Sequence, residues 1–288
     1  MNEHTRSPNA QSAQGQILPI ESGDELAIRK IMAEAEKLKA SLNLGRDKAF
    51  LTWLSAMLFV VTAARGSVGK STWAHALIEY LRTLGFTVVV IDADMRRPNL
   101  AQAYDGKWRT KTIAFNIGDE GAIGTLGEII EENIGCPIVL NLGAEADVNL
   151  AGTAIVSTIN DLLSFTNRKL FVHWLLRREA DGPEDLAHFL RQGLNAQAAA
   201  VLNLEGTTRA RFEHFDAAVA RKRIRLDATF ELAEMANRVS DGFFKVGVPA
   251  LNQLADGGIA QRLDGSKWLK TCFQSIEGGL RDAFSTAE

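Results

Sequence analysis

Cysteine is nearly absent from this chain of 288 residues, which contains only Cys136 and Cys272. Two cysteines so far apart in sequence cannot build a disulfide framework or a cysteine-rich metal site. The histidines are scattered, without the spacing of metal ligands. Long apolar runs are also missing, since the longest, such as residues 57–61, have the length of a strand and cannot span a membrane. Disulfide-stabilised, metal-cluster and membrane-spanning proteins are therefore excluded.

The chain also lacks a strong excess of charge of either sign, because its formal net charge is -3. The surface as a whole does not attract nucleic acid, so any DNA contact has to come from a local patch. The first sixteen residues are polar and lack the apolar core of a signal peptide, and we expect a cytoplasmic location. A chain of this length suffices for one large α/β domain or two small ones.

The apolar pattern divides the chain into three parts. Residues 1–22 are rich in Ser, Gln, Asn and Pro, which predicts a disordered tail. Residues 23–48 carry an apolar stripe from Ile28 to Leu42 at helical spacing. This N-terminal helix either packs on the main domain or serves as a docking helix for a partner. Residues 49–288 form the main domain.

Short apolar runs alternate with helical patterns in residues 49–288. Buried strands are predicted at 57–62, 87–91, 137–142, 170–176, 198–202 and 243–248, the last of them ending at Pro249. Helices are predicted at 70–84, 150–165, 183–193 and 265–284. Strands that alternate with helices indicate βαβ units and a mostly parallel sheet. Because the strands are continuously apolar, we expect an α/β fold with helices on both faces of the sheet.

The central motif is ARGSVGKST at residues 64–72, between a predicted strand and a predicted helix. In such a loop the backbone N–H groups point inward and hold phosphates, and the helix N-terminus adds partial positive charge. We expect Lys70 to reach the β- and γ-phosphates, Ser71 to place its hydroxyl on Mg²⁺, and Thr72 to bond the α-phosphate. The remaining phosphate-binding positions are Gly66, Ser67, Val68 and Gly69.

The loop departs from the usual phosphate-binding pattern at Ala64, where a glycine is normal. It instead resembles the deviant Walker A motif, KGGxGK[ST], of the ParA/MinD family of P-loop ATPases. Arg65 stands at the family's signature lysine, Gly66 matches its first glycine, and Ser67 replaces its second. The resemblance implies that ATP joins two copies into a homodimer, in which Arg65 contacts the partner's nucleotide. The alternative is that Arg65 caps the loop and faces solvent.

A second motif, VVVIDADMRRP at residues 88–98, places Asp92 and Asp94 at the end of a buried strand. Ligands bind at that edge of open parallel sheets, and two carboxylates there can hold Mg²⁺ directly or through water. By resemblance, Asp92 lies on the magnesium side and Asp94 orients the attacking water. The alternative is a pair of capping acids at a turn from strand to helix.

The same string also resembles the second Walker motif of bacterial tyrosine kinases, which phosphorylate their own C-terminal tyrosine cluster. This chain has only Tyr80 and Tyr104, and no tyrosine follows residue 104. The target of that reaction is absent, so self-phosphorylation of this kind is not expected.

Further positions follow from the ParA/MinD resemblance. Asn141 stands where the family has its Walker B aspartate, and an amide brings no charge, so we expect slow hydrolysis with binding retained. Asp147 follows closely and is a candidate to compensate. Asn203 resembles the strand-end residue that reads the adenine edge, and Pro249 the proline that packs on the base. An ordinary turn residue is the alternative for such an asparagine.

Two segments outside these motifs bear on partners. The basic run Arg221, Lys222, Arg223 and Arg225 is either a non-specific DNA contact or a solvated helix end. The helix predicted at 265–284 has one apolar face and mixed charges, which favours packing on the core over membrane binding.

Three functions are compatible with these features. The first is a ParA/MinD-like ATPase, a nucleotide-dependent dimerisation switch with a protein partner in plasmid or chromosome partition, conjugative transfer or positioning of a large complex. The second is a nucleotide-binding regulatory or scaffold protein with little hydrolysis. The third is a kinase-like exopolysaccharide regulator.

Overall fold

The computed structural model describes residues 22–143, 153–178 and 182–287. The predicted tail, apart from Ser22, thus lies outside the described residues. Asp147 lies outside them as well. The strands are β1 (Met57–Thr62), β2 (Val88–Ala93), β3 (Thr110–Ala114), β4 (Ile138–Leu142), β5 (Lys169–Leu176), β6 (Ala196–Asn203) and β7 (Ala228–Leu232). The helices are α1 (Ser22–Leu42), α2 (Lys48–Ser55), α3 (Lys70–Leu84), α4 (Asn99–Tyr104), α5 (Ala122–Glu132), α6 (Thr153–Phe165), α7 (Gly182–Leu190), α8 (Glu213–Ala220), α9 (Asn237–Phe244), α10 (Ala250–Asp256) and α11 (Ile259–Ala287).

The strands form one sheet in the order β3-β2-β4-β1-β5-β6-β7. Every neighbouring pair is parallel, with β1 at the centre between β4 and β5. The predicted parallel sheet is therefore confirmed. Because the strands run the same way, their carboxyl ends all lie at one edge, and the segments that follow them meet there.

Both faces of the sheet are buried. In β1, Phe59 and Val61 belong to one hydrophobic core, and Leu58 and Val60 belong to the other, as alternation along a strand requires. The first core is completed by α1 to α4 and α9 to α11, and the second by α5 to α8. Helices on both faces are thus confirmed, and they explain why the central strands are continuously apolar.

The edge strands differ from the prediction. The sequence pattern indicates neither β3 nor β7, because each lies at a sheet edge and is partly exposed; β7 alternates buried and exposed residues. The strand predicted at 243–248 is wrong. Phe243 belongs to α9, where it is buried together with Val239 one helical turn earlier. The apolar residues of this segment thus serve a helix face and not a strand.

The first and last helices of the described part pack on the same core. Ile31, Ala35 and Leu38 of α1 are buried in the first hydrophobic core, so this helix is packed on the main domain. The apolar face of α11 is also buried there: Trp268, Leu269, Cys272, Phe273, Ile276 and Leu280. In the described part of the chain, no helix combines the length and apolarity needed to cross a membrane.

Two neighbouring glycines in α11 provide a test of this packing. A Cβ added at Gly279 would lie 2.3 Å from Cε1 of Phe230, a fully buried ring of β7, whereas one added at Gly278 would meet no atom within 4 Å. We expect Gly279→Ala to lower the free energy of unfolding by about 1–3 kcal/mol through overpacking. The matched control Gly278→Ala should raise it by up to about 1 kcal/mol, because alanine favours helix.

Urea denaturation of the two variants measures both effects. Equal unfolding free energies for Gly279→Ala and Gly278→Ala would show that α11 does not pack against β7 in this way.

Candidate functional site

The loop at residues 64–72 connects β1 to α3 at the carboxyl edge of the sheet. Lys70, the first residue of α3, is buried, and its Nζ donates to the carbonyl oxygen of Arg65 at 3.1 Å. Ser67 and Gly69 have positive φ angles of 57° and 98°. The lysine amine is thereby brought back to the start of the loop. Arg65, Gly66 and Ser67 are exposed, so the loop is open to a ligand from outside.

Asn203, at the end of β6, is hydrogen-bonded to the backbone of this loop. Its Nδ2 donates to the carbonyl oxygen of Val68 at 2.9 Å, and its Oδ1 accepts from the N–H of Glu205 at 2.9 Å. A Cβ added at Gly69 would lie 2.7 Å from Nδ2 of Asn203, so glycine is needed there for space as well as for its positive φ. The structure therefore brings Asn203 to the phosphate loop; its contact with adenine stays a prediction.

Asp92, at the end of β2, is fully buried and accepts four hydrogen bonds. One oxygen accepts from the N–H groups of Leu100 at 2.9 Å and Ala101 at 3.1 Å, in the first turn of α4. The other accepts from Nδ2 of Asn141 at 3.0 Å and the N–H of Asp94 at 3.3 Å. Burial raises the pKa of the Asp92 carboxyl, and these four donors oppose the rise. Asp92 thus caps α4, and its role at Mg²⁺ stays a prediction.

Asp94 lies beside Asp92 and is half-buried. Its Oδ1 accepts from the N–H of Arg97 at 3.3 Å. A Cβ added at Gly143, just after β4, would lie 3.8 Å from this oxygen. Asp94 therefore lies between the ends of β2 and β4, and it retains access to solvent that Asp92 lacks.

Asn141 in β4 lies directly opposite Asp92 in the register between β4 and β2. The residue is fully buried, and its Nδ2 donates to the Asp92 carboxylate. Its Oδ1 has no hydrogen-bond partner among the described residues. The strand end predicted to hold the Walker B position is thus next to the acidic motif, as expected for this fold.

Pro249 does not end a strand. It precedes α10, where the N–H of Ala250 donates to Nε2 of His75 in α3 at 3.3 Å. The last strand is β7, and its final residue Leu232 reaches within 3.4 Å of a Cβ placed on Gly69. The segment at this edge of the sheet is therefore 233–236, which the sequence interpretation missed along with β7. A contact between Pro249 and the base stays a prediction. The strand at 243–248 that supported it is absent from the described structure.

A buried polar cluster behind the loop was also not predicted. Tyr104 donates to Oε1 of Glu79 at 2.6 Å, so the hydroxyl accepts from Nδ1 of His75 at 2.7 Å. Arg82 donates to the same Glu79 oxygen at 2.6 Å. Burial lowers the pKa of His75 well below its usual value. This cluster joins α3 to α4, and its signal in the sequence is the polar stripe 75, 79 and 82 on an otherwise apolar helix.

Two features bear on the alternative functions. Tyr80 and Tyr104 are both fully buried, so neither ring is at the surface. The basic residues Arg221, Lys222, Arg223 and Arg225 are exposed in the segment that follows α8. Arg223 lies 3.8 Å from Glu184, and DNA contact by this run stays a prediction.

The chain is similar to known proteins. A model of the CobQ/CobB/MinD/ParA nucleotide binding domain matches residues 59–271, which include the loop, Asp92, Asn141 and Asn203. The chain is 25% identical over 231 residues to Protein MobD of Acidithiobacillus ferrooxidans, covering 80% of this chain and 100% of MobD.

The chain is similar to solved structures, and one with a TM-score above 0.5 shows the same fold. A chain of the MinC:MinD cell division protein complex of Aquifex aeolicus is 16% identical with a TM-score of 0.51, covering 77% of this chain and 96% of that chain. The MinD cell division protein of the same organism gives 13% identity and a TM-score of 0.49, covering 77% of this chain and 97% of that chain.

The position of Asn203 generates a prediction that separates its two roles. If Asn203 acts by supporting the loop at Val68, Asn203→Ala should weaken ATP and inorganic tripolyphosphate equally, by about tenfold for one lost hydrogen bond. Isothermal titration calorimetry with both ligands measures this. A loss confined to ATP, with tripolyphosphate unaffected, would instead assign Asn203 to adenine.

Proposed function

Because this chain belongs to the CobQ/CobB/MinD/ParA family of nucleotide-binding domains, we propose that it binds ATP with Mg²⁺ and hydrolyses it slowly. The observation that carries the proposal is the loop at residues 64–72. There the buried Lys70 amine turns back over a loop whose residues 65–67 are exposed. A buried cation beside the backbone of an exposed loop at a helix N-terminus is suited to a polyphosphate.

The residues at the sheet edge also fit Mg²⁺. This ion takes oxygen ligands and keeps several waters, binding through one or two carboxylates and the phosphates of the substrate. Ser71 and Asp92 would hold it, and it would neutralise charge on the phosphates when bound. Because Asp92 already accepts four hydrogen bonds within the chain, a water of the ion would have to replace one of them, and the longest, from the N–H of Asp94 at 3.3 Å, is the candidate. Oδ1 of Asn141, which meets no hydrogen-bond donor in the described part of the chain, is a further buried acceptor for such a water.

Hydrolysis needs a group that orients water, and Asp94 is the candidate. It is half-buried, and its oxygen lies near the end of β4. Asn141 offers an amide where the family has a carboxylate, so one negative charge is missing near the metal side. We therefore expect hydrolysis to be slow relative to binding.

The switch in this proposal is ATP-dependent dimerisation through Arg65. Arg65 is exposed beside the phosphate loop and precedes Gly66 as the signature lysine does in the family motif. A guanidinium that reaches the partner's phosphate would form a charge-assisted hydrogen bond, and two-fold symmetry would double it. The cargo we assign is a plasmid, a chromosome region, a conjugation apparatus or another large complex, recruited through a protein partner, as the ParA-type resemblance indicates.

One alternative keeps specific support. A nucleotide-binding scaffold with little turnover is favoured by Asn141, and absence of ATPase activity in the presence of the partner would establish it. The kinase alternative has less, since both tyrosines are buried.

Nucleotide binding is tested with Lys70→Ala. Loss of the charge that meets the β- and γ-phosphates should weaken ATP by about tenfold to a hundredfold, the value of a charged hydrogen bond. The control is Lys245→Ala, whose side chain is 72% exposed and pairs with Asp241 on α9, remote in sequence from the loop. Fluorescence titration with a labelled ATP analogue measures both. Equal affinity in the wild type and Lys70→Ala would rule out the phosphate site.

Dimerisation is tested with Arg65→Ala. Two contacts are lost in each dimer, so the dimer formed with a slowly hydrolysed ATP analogue should weaken at least about a hundredfold. Nucleotide affinity of the monomer should change little, and Arg65→Lys should restore most of the dimer. Light scattering measures the association. A wild type that stays monomeric with bound nucleotide, or an Arg65→Ala variant that dimerises equally well, would refute the switch.

A further inference from the structure

The contact between Asn141 and Asp92 has an unusual balance of donors and acceptors. Both side chains are fully buried, at matched positions in β4 and β2. A carboxylate only accepts hydrogen bonds, so the amide must turn its Nδ2 to Asp92, and the orientation is chemically determined. The Oδ1 of Asn141 then has no partner among the described residues. The amide therefore acts here through its donor, and a buried acceptor without a described partner is the cost.

We propose that Asn141 is a positioning residue whose amide holds the Asp92 carboxylate on the first turn of α4, so that the segment 92–101 is closed without a bound cation. The inference deepens the proposed function, because this segment carries Asp94, the residue proposed to orient water. It does not require nucleotide, since every contact that carries it is within the chain.

The Asp92 carboxylate closes the segment 92–101, because its two oxygens bond to groups on β4 and on α4. Asn141 donates to Oδ1 of Asp92, and Oδ2 accepts from the N–H groups of Leu100 and Ala101. N–H groups in the first turn of a helix have no carbonyl partner within the helix, and they favour a negative charge beside them. Asp94 lies in the chain between Asp92 and the first turn of α4, and its N–H also donates to Asp92. Holding the carboxylate therefore fixes both the start of α4 and the backbone of Asp94.

An aspartate at position 141 would act in the opposite way. It would place a second carboxylate where the amide now donates, 3.0 Å from the Asp92 oxygen, in a site without access to solvent. Like charges at that separation repel strongly when buried, so a divalent cation between them or a proton on one of them would be needed to hold both. The neutral amide makes the contact with neither.

Hydrogen exchange tests this directly in nucleotide-free protein at pH 8, well above the usual range of carboxyl pKa values. The amides of Leu100 and Ala101 report the contact, because they donate to Asp92. Asn141→Ala should lower their protection at least about tenfold through loss of a charged hydrogen bond. Asn141→Asp should lower it as far where both carboxyls are ionised, and a second measurement at pH 6 shows whether a proton shared by the two carboxyls restores it. The exchanged pair Asp92→Asn with Asn141→Asp should restore protection, because an amide again faces a carboxylate.

A second arm uses Mg²⁺ alone as the probe. Mg²⁺ without nucleotide should leave the thermal stability of the wild type unchanged and raise that of Asn141→Asp. Unchanged protection of Leu100 and Ala101 in Asn141→Ala would overturn the proposal, as would an exchanged pair no better protected than Asn141→Ala. If Asn141→Asp fails to fold, Asn141→Ala and the exchanged pair still decide. Because nucleotide is absent throughout, failure here is distinct from failure of ATP binding by Lys70.

Discussion

Burial of both faces of the central strands is the constraint on which the rest of this structure depends. Parallel neighbours have to be joined by crossover connections, and the helices of those crossovers cover both faces of the sheet. Parallel strands end at a common edge, and here the phosphate loop follows β1, the acidic motif follows β2, and Asn203 ends β6. Residues far apart in sequence are thus assembled by the sheet and not by local structure.

Buried polar groups then set the geometry of this edge. Asn203 holds the loop through Val68, and Asp92 holds the start of α4. Each buried donor or acceptor left without a partner is costly, so these contacts specify one arrangement. Behind them, Tyr104 at the end of α4 bonds to His75 and Glu79 of α3. The helix that begins at the phosphate loop and the helix that begins at Asp92 are therefore linked at a second point.

The sequence predicts the central part of this architecture well, because β1, β2, β4, β5 and β6 are continuously apolar and α3 is bounded by Gly85. It predicts the edges poorly. In β3 and β7 only part of the residues are buried, so the apolar signal weakens, and the apolar residues around Phe243 indicate a strand where the chain forms a helix. The last strand of the sheet is β7, which ends at Leu232, so Pro249 does not follow a strand as the sequence pattern indicates. The contacts of Asn141 and Asn203 depend on how strands that are far apart in sequence align in the sheet. A local sequence pattern does not specify that alignment.

Amide chemical shifts test the central claim, that residues 64–72 form a phosphate site, most directly. Two-dimensional NMR of the nitrogen-15-labelled chain, titrated with Mg²⁺ and a slowly hydrolysed ATP analogue, reports each backbone N–H separately. We expect the largest shifts on residues 66–72, because their N–H groups would bond to the phosphates. Saturating nucleotide that leaves these amides unshifted, or shifts only residues elsewhere in the chain, would contradict it.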